Sequence, residues 1–166
     1  MTAKIVAAWM LACLLSGEAI AAAPSCADAT HRQFDFWAGE WAVSDASGKS
    51  AGVNSIAKEE NGCVLVERWR SAAGGHGQSY NYYDPAAKKW KQVWVGLGLL
   101  LHMEGEYRDG SMRLEGPLQY LTQGRTTILR GTWTLLPDGR VRQLFEESED
   151  DGKSWATWFD GYYVRR

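Results

Sequence analysis

The chain has 166 residues, with 18 Lys and Arg against 20 Asp and Glu, for a net charge of −2. The charges are spread along it, and no basic cluster offers a stripe that would track phosphates, which argues against nucleic acid as a partner. The length suits one domain with a proper core.

The N-terminus reads as an export signal. Lys4 precedes an apolar run from Ile5 to Leu15, and small residues follow, with Ala-x-Ala choices at Ala19-Ile20-Ala21 and Ala21-Ala22-Ala23. That order predicts a cleaved signal peptide over residues 1–22 and a single domain over 23–166, placed in the periplasm or outside the cell. The run is too short to span a bilayer and no later segment is long enough, so no stable membrane insertion is expected. Met10-Leu11-Ala12-Cys13 makes a poor lipoprotein signal. Beyond the leader lie Cys26 and Cys63. An even count in an oxidising compartment favours a Cys26–Cys63 disulfide over two free thiols or a metal pair, because neither has a second Cys or His at ligand spacing.

Next, Thr30-His31-Arg32-Gln33 has the form of a capping box and predicts a short helix, with Phe34 and Trp37 facing inward and Gly39 ending it. No helical period follows. Runs rich in Val, Leu, Thr, Tyr and Trp alternate with turn signals at Asp45–Gly48, Glu60–Gly62, Asp84-Pro85, Arg108–Gly110, Pro137–Gly139 and Asp150–Gly152. They predict strands over 40–44, 50–57, 63–70, 78–83, 90–95, 99–107, 111–115, 126–135, 140–148 and 154–164. Regular spacing and hairpin-length links imply an all-β, antiparallel up-and-down β-barrel of about ten strands, since closure removes exposed edges.

Of nine tryptophans, Trp9 lies in the leader and the others are Trp37, Trp41, Trp69, Trp90, Trp94, Trp133, Trp155 and Trp158. Each can bury about 200 Å², so the core does not need all of them and some are free to line a cavity. Strand parity gives the candidates, because side chains alternate between faces. Glu67 shares a face with Leu65 and Trp69, Gln92 with Trp90 and Trp94, and Gln143 with Val141 and Phe145. Ser79 and Asn81 share a face of their strand, and Arg130 is placed to supply charge to Glu67. These residues, Glu67, Trp69, Ser79, Asn81, Gln92, Trp94, Arg130 and Gln143, form the expected ligand-binding set. Their polar groups sit among apolar neighbours, where burial without a partner is costly. A satisfied internal network with no ligand is the competing reading.

Other motifs carry less. Ser148 through Trp155 fits S-x-D-x-G-x-[ST]-W, an Asp-box, which reads as a well-made hairpin whose Trp packs inward. His31, His76 and His102 have no metal-ligand spacing, with His102 opposite the Leu101/Met103 face. The strands from 126 onward contain no His to hold haem, so no metal and no cofactor are expected. Ser79 lacks a nucleophile-elbow setting. Gly96-Leu97-Gly98-Leu99-Leu100-Leu101 reads as a bend between two buried strands, with a greasy lip at a barrel mouth as the alternative.

Phe34-Asp35-Phe36-Trp37-x-Gly39-x-Trp41, Gly62-Cys63-Val64-Leu65-x-Glu67-x-Trp69, Trp90-x-Gln92-x-Trp94, Val141-Arg142-Gln143, the Asp-box and Phe159-Asp160-Gly161-x-Tyr163 together resemble a family of uncharacterised secreted bacterial proteins with lipocalin-like (calycin-type) barrels. The resemblance covers the whole chain after the leader. It implies a lipocalin-like barrel whose floor is closed by Trp41, stacked on an Arg near the C-terminus such as Arg165. It implies a fold and no agreed activity. The expected function is binding of a small amphipathic or partly polar molecule. The alternatives are an enzyme using Glu67 as the proton-transfer group with Arg130 as orienter, and an envelope interaction protein with a filled barrel.

Overall fold

Alternation of apolar and polar residues over seven to eleven positions, broken by Asp-, Asn- and Gly-bearing turns, leaves each segment one face to bury. Ten such segments bury theirs against one another by closing into a barrel. The computed structural model describes residues 26–166; the signal peptide expected over residues 1–22 lies outside the described residues. The strands are β1 (Gly39–Asp45), β2 (Ser50–Glu59), β3 (Val64–Ser71), β4 (His76–Asp84), β5 (Lys89–Gly96), β6 (Leu99–Arg108), β7 (Ser111–Tyr120), β8 (Arg125–Leu135), β9 (Val141–Ser148) and β10 (Ala156–Arg165). Every neighbour pair is antiparallel and sequential, and β1 pairs with β10 to close the sheet, from Trp41 opposite Arg165 to Asp45 opposite Gly161.

Two expectations about elements are corrected. No capping box forms at Thr30. Asp28 Oδ1 instead accepts from the backbone N–H groups of Thr30 and His31, and the segment runs as turns into a single 3₁₀ turn, Asp35–Trp37. Gln33 is drawn away from the backbone because its Oε1 accepts from the Trp90 indole at 3.0 Å. The seventh strand runs on to Tyr120, well past residue 115. Gly116-Pro117 reads as a stop, but Pro117 sits opposite Ile128, and pairing with β8 continues through it.

The disulfide joins Cys26 to Cys63 with Cα atoms 4.8 Å apart. It holds the start of the described chain beside the β2–β3 connection, so the 3₁₀ turn lies across that end of the barrel. There Phe34 stacks on Trp37 with ring centroids 4.9 Å apart, and Trp133 and Trp90 meet Phe34 edge-on at 5.4 and 5.8 Å. The Trp41 indole donates to the Trp37 carbonyl at 2.9 Å. The Arg165 guanidinium lies over the Trp41 ring at 4.4 Å. Gly39 makes room for that stack: its φ is +142°, and a Cβ there would lie 2.4 Å from Arg165 Nη1. These rings are fully buried and fill one end of the barrel. At the other end lie the β1–β2, β3–β4, β5–β6, β7–β8 and β9–β10 connections.

Candidate functional site

Above the aromatic floor the interior is not filled. A cavity of about 320 Å³ runs from the middle of the barrel to the mouth. Its walls are mostly apolar, with Leu99, Leu101, Leu118 and Leu129 on one side and Trp69, Trp94, Phe145 and Phe159 completing them. Gly77 lets the Trp94 ring lie flat against the wall, since a Cβ there would fall 2.1 Å from Trp94 Cζ2. Trp158, 40 % exposed, and Leu97, 52 % exposed, stand at the rim. The β10 register shifts between Thr157 and Phe159, and the Trp158 indole reaches the Tyr120 hydroxyl at 3.2 Å. The glycine-flanked leucine run is therefore a tight bend, and its exposed Leu97 is also part of the cavity lip.

A polar cluster crosses the wall midway along the barrel. Glu67 of β3 is 5 % exposed. Its Oε1 accepts from Asn54 Nδ2 of β2 at 2.7 Å, and its Oε2 accepts from Ser79 Oγ of β4 at 2.6 Å. Asn81 Nδ2 donates to Ser79 Oγ at 2.8 Å and to the Leu65 carbonyl at 3.1 Å. Gln92 Nε2 of β5 donates to Asn81 Oδ1 at 2.6 Å. On the other flank, Tyr163 of β10 donates to Gln143 Oε1 of β9, and Asn54 Nδ2 lies 3.4 Å from the Tyr163 oxygen. Asn54 Oδ1 is buried with no partner.

Burial pushes the Glu67 carboxyl above the ordinary carboxylate range, and the hydrogen bonds from Ser79 and Asn54 pull it back in part. Burial also drives the Tyr163 phenol well above its usual value, with the neighbouring Glu67 charge adding to the effect. Among the described residues no Lys or Arg pairs with Glu67, and no group of three or more His, Cys, Asp or Glu side chains converges to hold a metal ion.

The structure thus brings together seven of the eight expected residues. Glu67, Trp69, Gln92, Trp94 and Gln143 line the cavity, while Ser79 and Asn81 stand behind Glu67 and Gln92 in the network. Arg130 is the exception. In β8 the inward positions are Thr127, Leu129, Gly131 and Trp133, so Arg130 points out of the barrel. There Arg130 Nε donates to Glu146 Oε2 at 2.8 Å, a bond that holds the Glu146 carboxyl below its usual range. The Arg130 guanidinium also covers the Trp155 ring at 4.1 Å. Trp155 is accordingly on the outside of the barrel, although its Asp-box hairpin forms as expected. Asp150 accepts from the Ser154 N–H and hydroxyl at 2.8 and 2.6 Å, and Gly152 N–H donates to Ser148 Oγ at 2.8 Å.

Sequence reasoning missed Asn54 and Tyr163. Asn54 alternates in phase with Ile56, and Tyr163 with Phe159, so strand parity held the signal for both. No protein-family model matches this chain, and no curated protein matches it in sequence. Fold and cavity define its class: a closed, ten-stranded antiparallel barrel with one plugged end, one open end and a buried polar cluster between them. No helix among the described residues is long and apolar enough to cross a membrane.

Proposed function

We propose that this protein is an exported, lipocalin-like binding barrel that holds a small amphipathic molecule in its interior. The cavity carries the reading. Its volume of about 320 Å³ falls at the low end of small-molecule sites, ~300–1,000 Å³. It combines an apolar wall, an aromatic rim and a few convergent polar groups. An interior kept open by folded aromatic side chains is hard to explain as packing, because close-packed cores leave few voids larger than a water molecule. The same cavity counts against a filled barrel that acts through its outer surface alone. The outward turn of Arg130 removes the orienting cation from the acid–base enzyme reading, leaving Glu67 with no partner group for that chemistry. The Cys26–Cys63 disulfide supports export, and the plugged floor with its Trp41–Arg165 stack supports the lipocalin-like comparison.

Intrinsic tryptophan fluorescence against a library of small metabolites tests the proposal, because Trp69, Trp94 and Trp158 all line the cavity. A true ligand shifts the emission and, at a hundredfold excess over Kd, raises unfolding stability by ~2.7 kcal/mol. If no member of a chemically broad library does either, the binding reading is wrong.

A further inference from the structure

We propose that the cavity selects a cationic amphiphile: an organic ammonium on an apolar or aromatic body, with its charged head on Glu67 and its body between Trp69, Trp94 and the leucine wall. This rests on the binding reading above and names the ligand class for the same site.

The Leu65 carbonyl oxygen can only accept, so the Asn81 group bonded to it at 3.1 Å is its NH₂. That fixes the rest of the chain. Asn81 Nδ2 also donates to Ser79 Oγ, so the single Ser79 hydroxyl proton goes to Glu67 Oε2. Asn81 Oδ1 must accept, so Gln92 presents its Nε2 there. From the opposite side Asn54 Nδ2 donates to Glu67 Oε1. Asn54 and Ser79 each donate to a Glu67 oxygen, with Asn81 and Gln92 backing Ser79, and such donors favour the ionised carboxylate. Yet no protein cation balances that charge. Arg68 and Arg70 of the same strand alternate outward, and Arg130 of β8 is outside and committed to Glu146.

A buried carboxyl with donors arranged around it and no cation beside it lacks the partner its charged form needs, since buried charges are paired in stable structures. Each carboxylate oxygen accepts one hydrogen bond from the protein and has a second lone pair to spare. Gln92 Oε1, left without a protein donor once Nε2 is committed, belongs to a residue that lines the same cavity. The open valences on this side are therefore acceptors, which suit a group carrying several N–H donors and a positive charge. The aromatic faces of Trp69 and Trp94 in the same wall add a cation–π surface for the approach. Ligand entry also explains why a solitary acid is tolerated. In the empty barrel Glu67 is held toward its neutral form by burial, and an arriving ammonium supplies the missing charge and releases the proton. Tyr163 is the other titratable group facing the cavity, and it stays neutral throughout.

Isothermal titration calorimetry of the full barrel with 4-phenylbutylamine, 4-phenylbutanol and 4-phenylbutanoate tests this, since the three share one body and differ in the head. The amine should bind at least tenfold more tightly than the alcohol, with the carboxylate weakest. Its apparent heat should differ between buffers of unlike ionisation enthalpy at a pH above 4.5, reporting proton release. In Glu67→Gln, confirmed as folded by near-ultraviolet circular dichroism, the amine-to-alcohol ratio should fall to within twofold of one. An alcohol that matches or beats the amine in the wild type, or an amine preference that persists in Glu67→Gln, overturns the cationic assignment while leaving a binding barrel standing. If none of the three binds, the assignment falls, and the fluorescence library then decides the binding reading separately.

Discussion

Replacing both cysteines with serine should cost this fold about 4 kcal/mol. Cys26 and Cys63 are 37 residues apart in sequence, and the chain-entropy relation for a loop of that length gives ~3.8 kcal/mol at room temperature. The segment inside the loop includes Phe34, Trp37, β1 and all of β2, whose native contacts do not depend on the sulfur bridge. The change therefore acts on the unfolded chain, which regains the freedom to separate its N-terminal segment from β3. A domain of this size has ~5–15 kcal/mol to lose, so the variant should remain folded at room temperature with a midpoint lowered by roughly 10–15 °C. Urea unfolding of Cys26→Ser/Cys63→Ser, followed by tryptophan emission, measures it, with the oxidised wild type beside it. A loss below ~1 kcal/mol with an unchanged m-value would show that the bridge does not restrain the unfolded ensemble as argued. A native-state near-ultraviolet spectrum that collapses in the variant would show instead that the bridge holds the floor together mechanically.

Glu67 makes a pH-dependent contribution whose sign follows from its raised pKa. Stability linked to its neutral form is fully present below the unfolded value near 4.5 and is lost as pH rises through the higher folded value. Glu67→Gln, which does not titrate, should therefore gain on the wild type above pH 4.5 at up to ~1.4 kcal/mol per pH unit; urea midpoints from pH 4 to 8 check this, and a flat difference defeats it. Asp150 runs the other way: hydrogen bonds from Ser154, with help from Ser148, lower its pKa to about 2, so the hairpin's contribution is present above the usual aspartate range and fades toward pH 2. Carbon-13 NMR of its carboxyl should show a midpoint near 2, and a midpoint near 4 would mean that the Asp-box hydrogen bonds are not formed in solution. Phe34→Ala should cost ~3–5 kcal/mol, because Phe34 is fully buried between Trp37, Trp90 and Trp133; a loss below 1 kcal/mol by urea unfolding would contradict the plugged floor.

The barrel and most of its polar cluster were legible because alternation is a strong signal in antiparallel strands. Leu65, Glu67 and Trp69 announce one face, as do Trp90, Gln92 and Trp94, and the structure turns both inward. Arg130 lies between Leu129 and Gly131 on a strand whose inward face also takes Trp133, so alternation turns it outward, away from Glu67. Asn54 is hard to read from the sequence because Gly52 beside it on the inner face carries no side chain and Val53 and Ala51 put apolar groups in the other phase. The Thr30–Gln33 pattern fits a capping box in sequence, but Asp28 offers a nearer acceptor and Trp90 competes for Gln33. The strand beyond Gly116 was hidden because proline normally ends pairing, whereas here the next residues resume it. None of these local patterns reveals that the interior stays hollow, which depends on how Trp69 and Trp94 lie against the wall.

The hydrogen-bonded seam between β1 and β10 has a consequence for biosynthesis. The first strand waits for the tenth, so the sheet remains an open ribbon while a ribosome is still extending the chain. Until the tenth strand arrives, β1 presents an unpaired edge that invites association with other chains. Pairings this distant in sequence also form slowly. A chain of this topology is therefore most open to association just before its last strand is made.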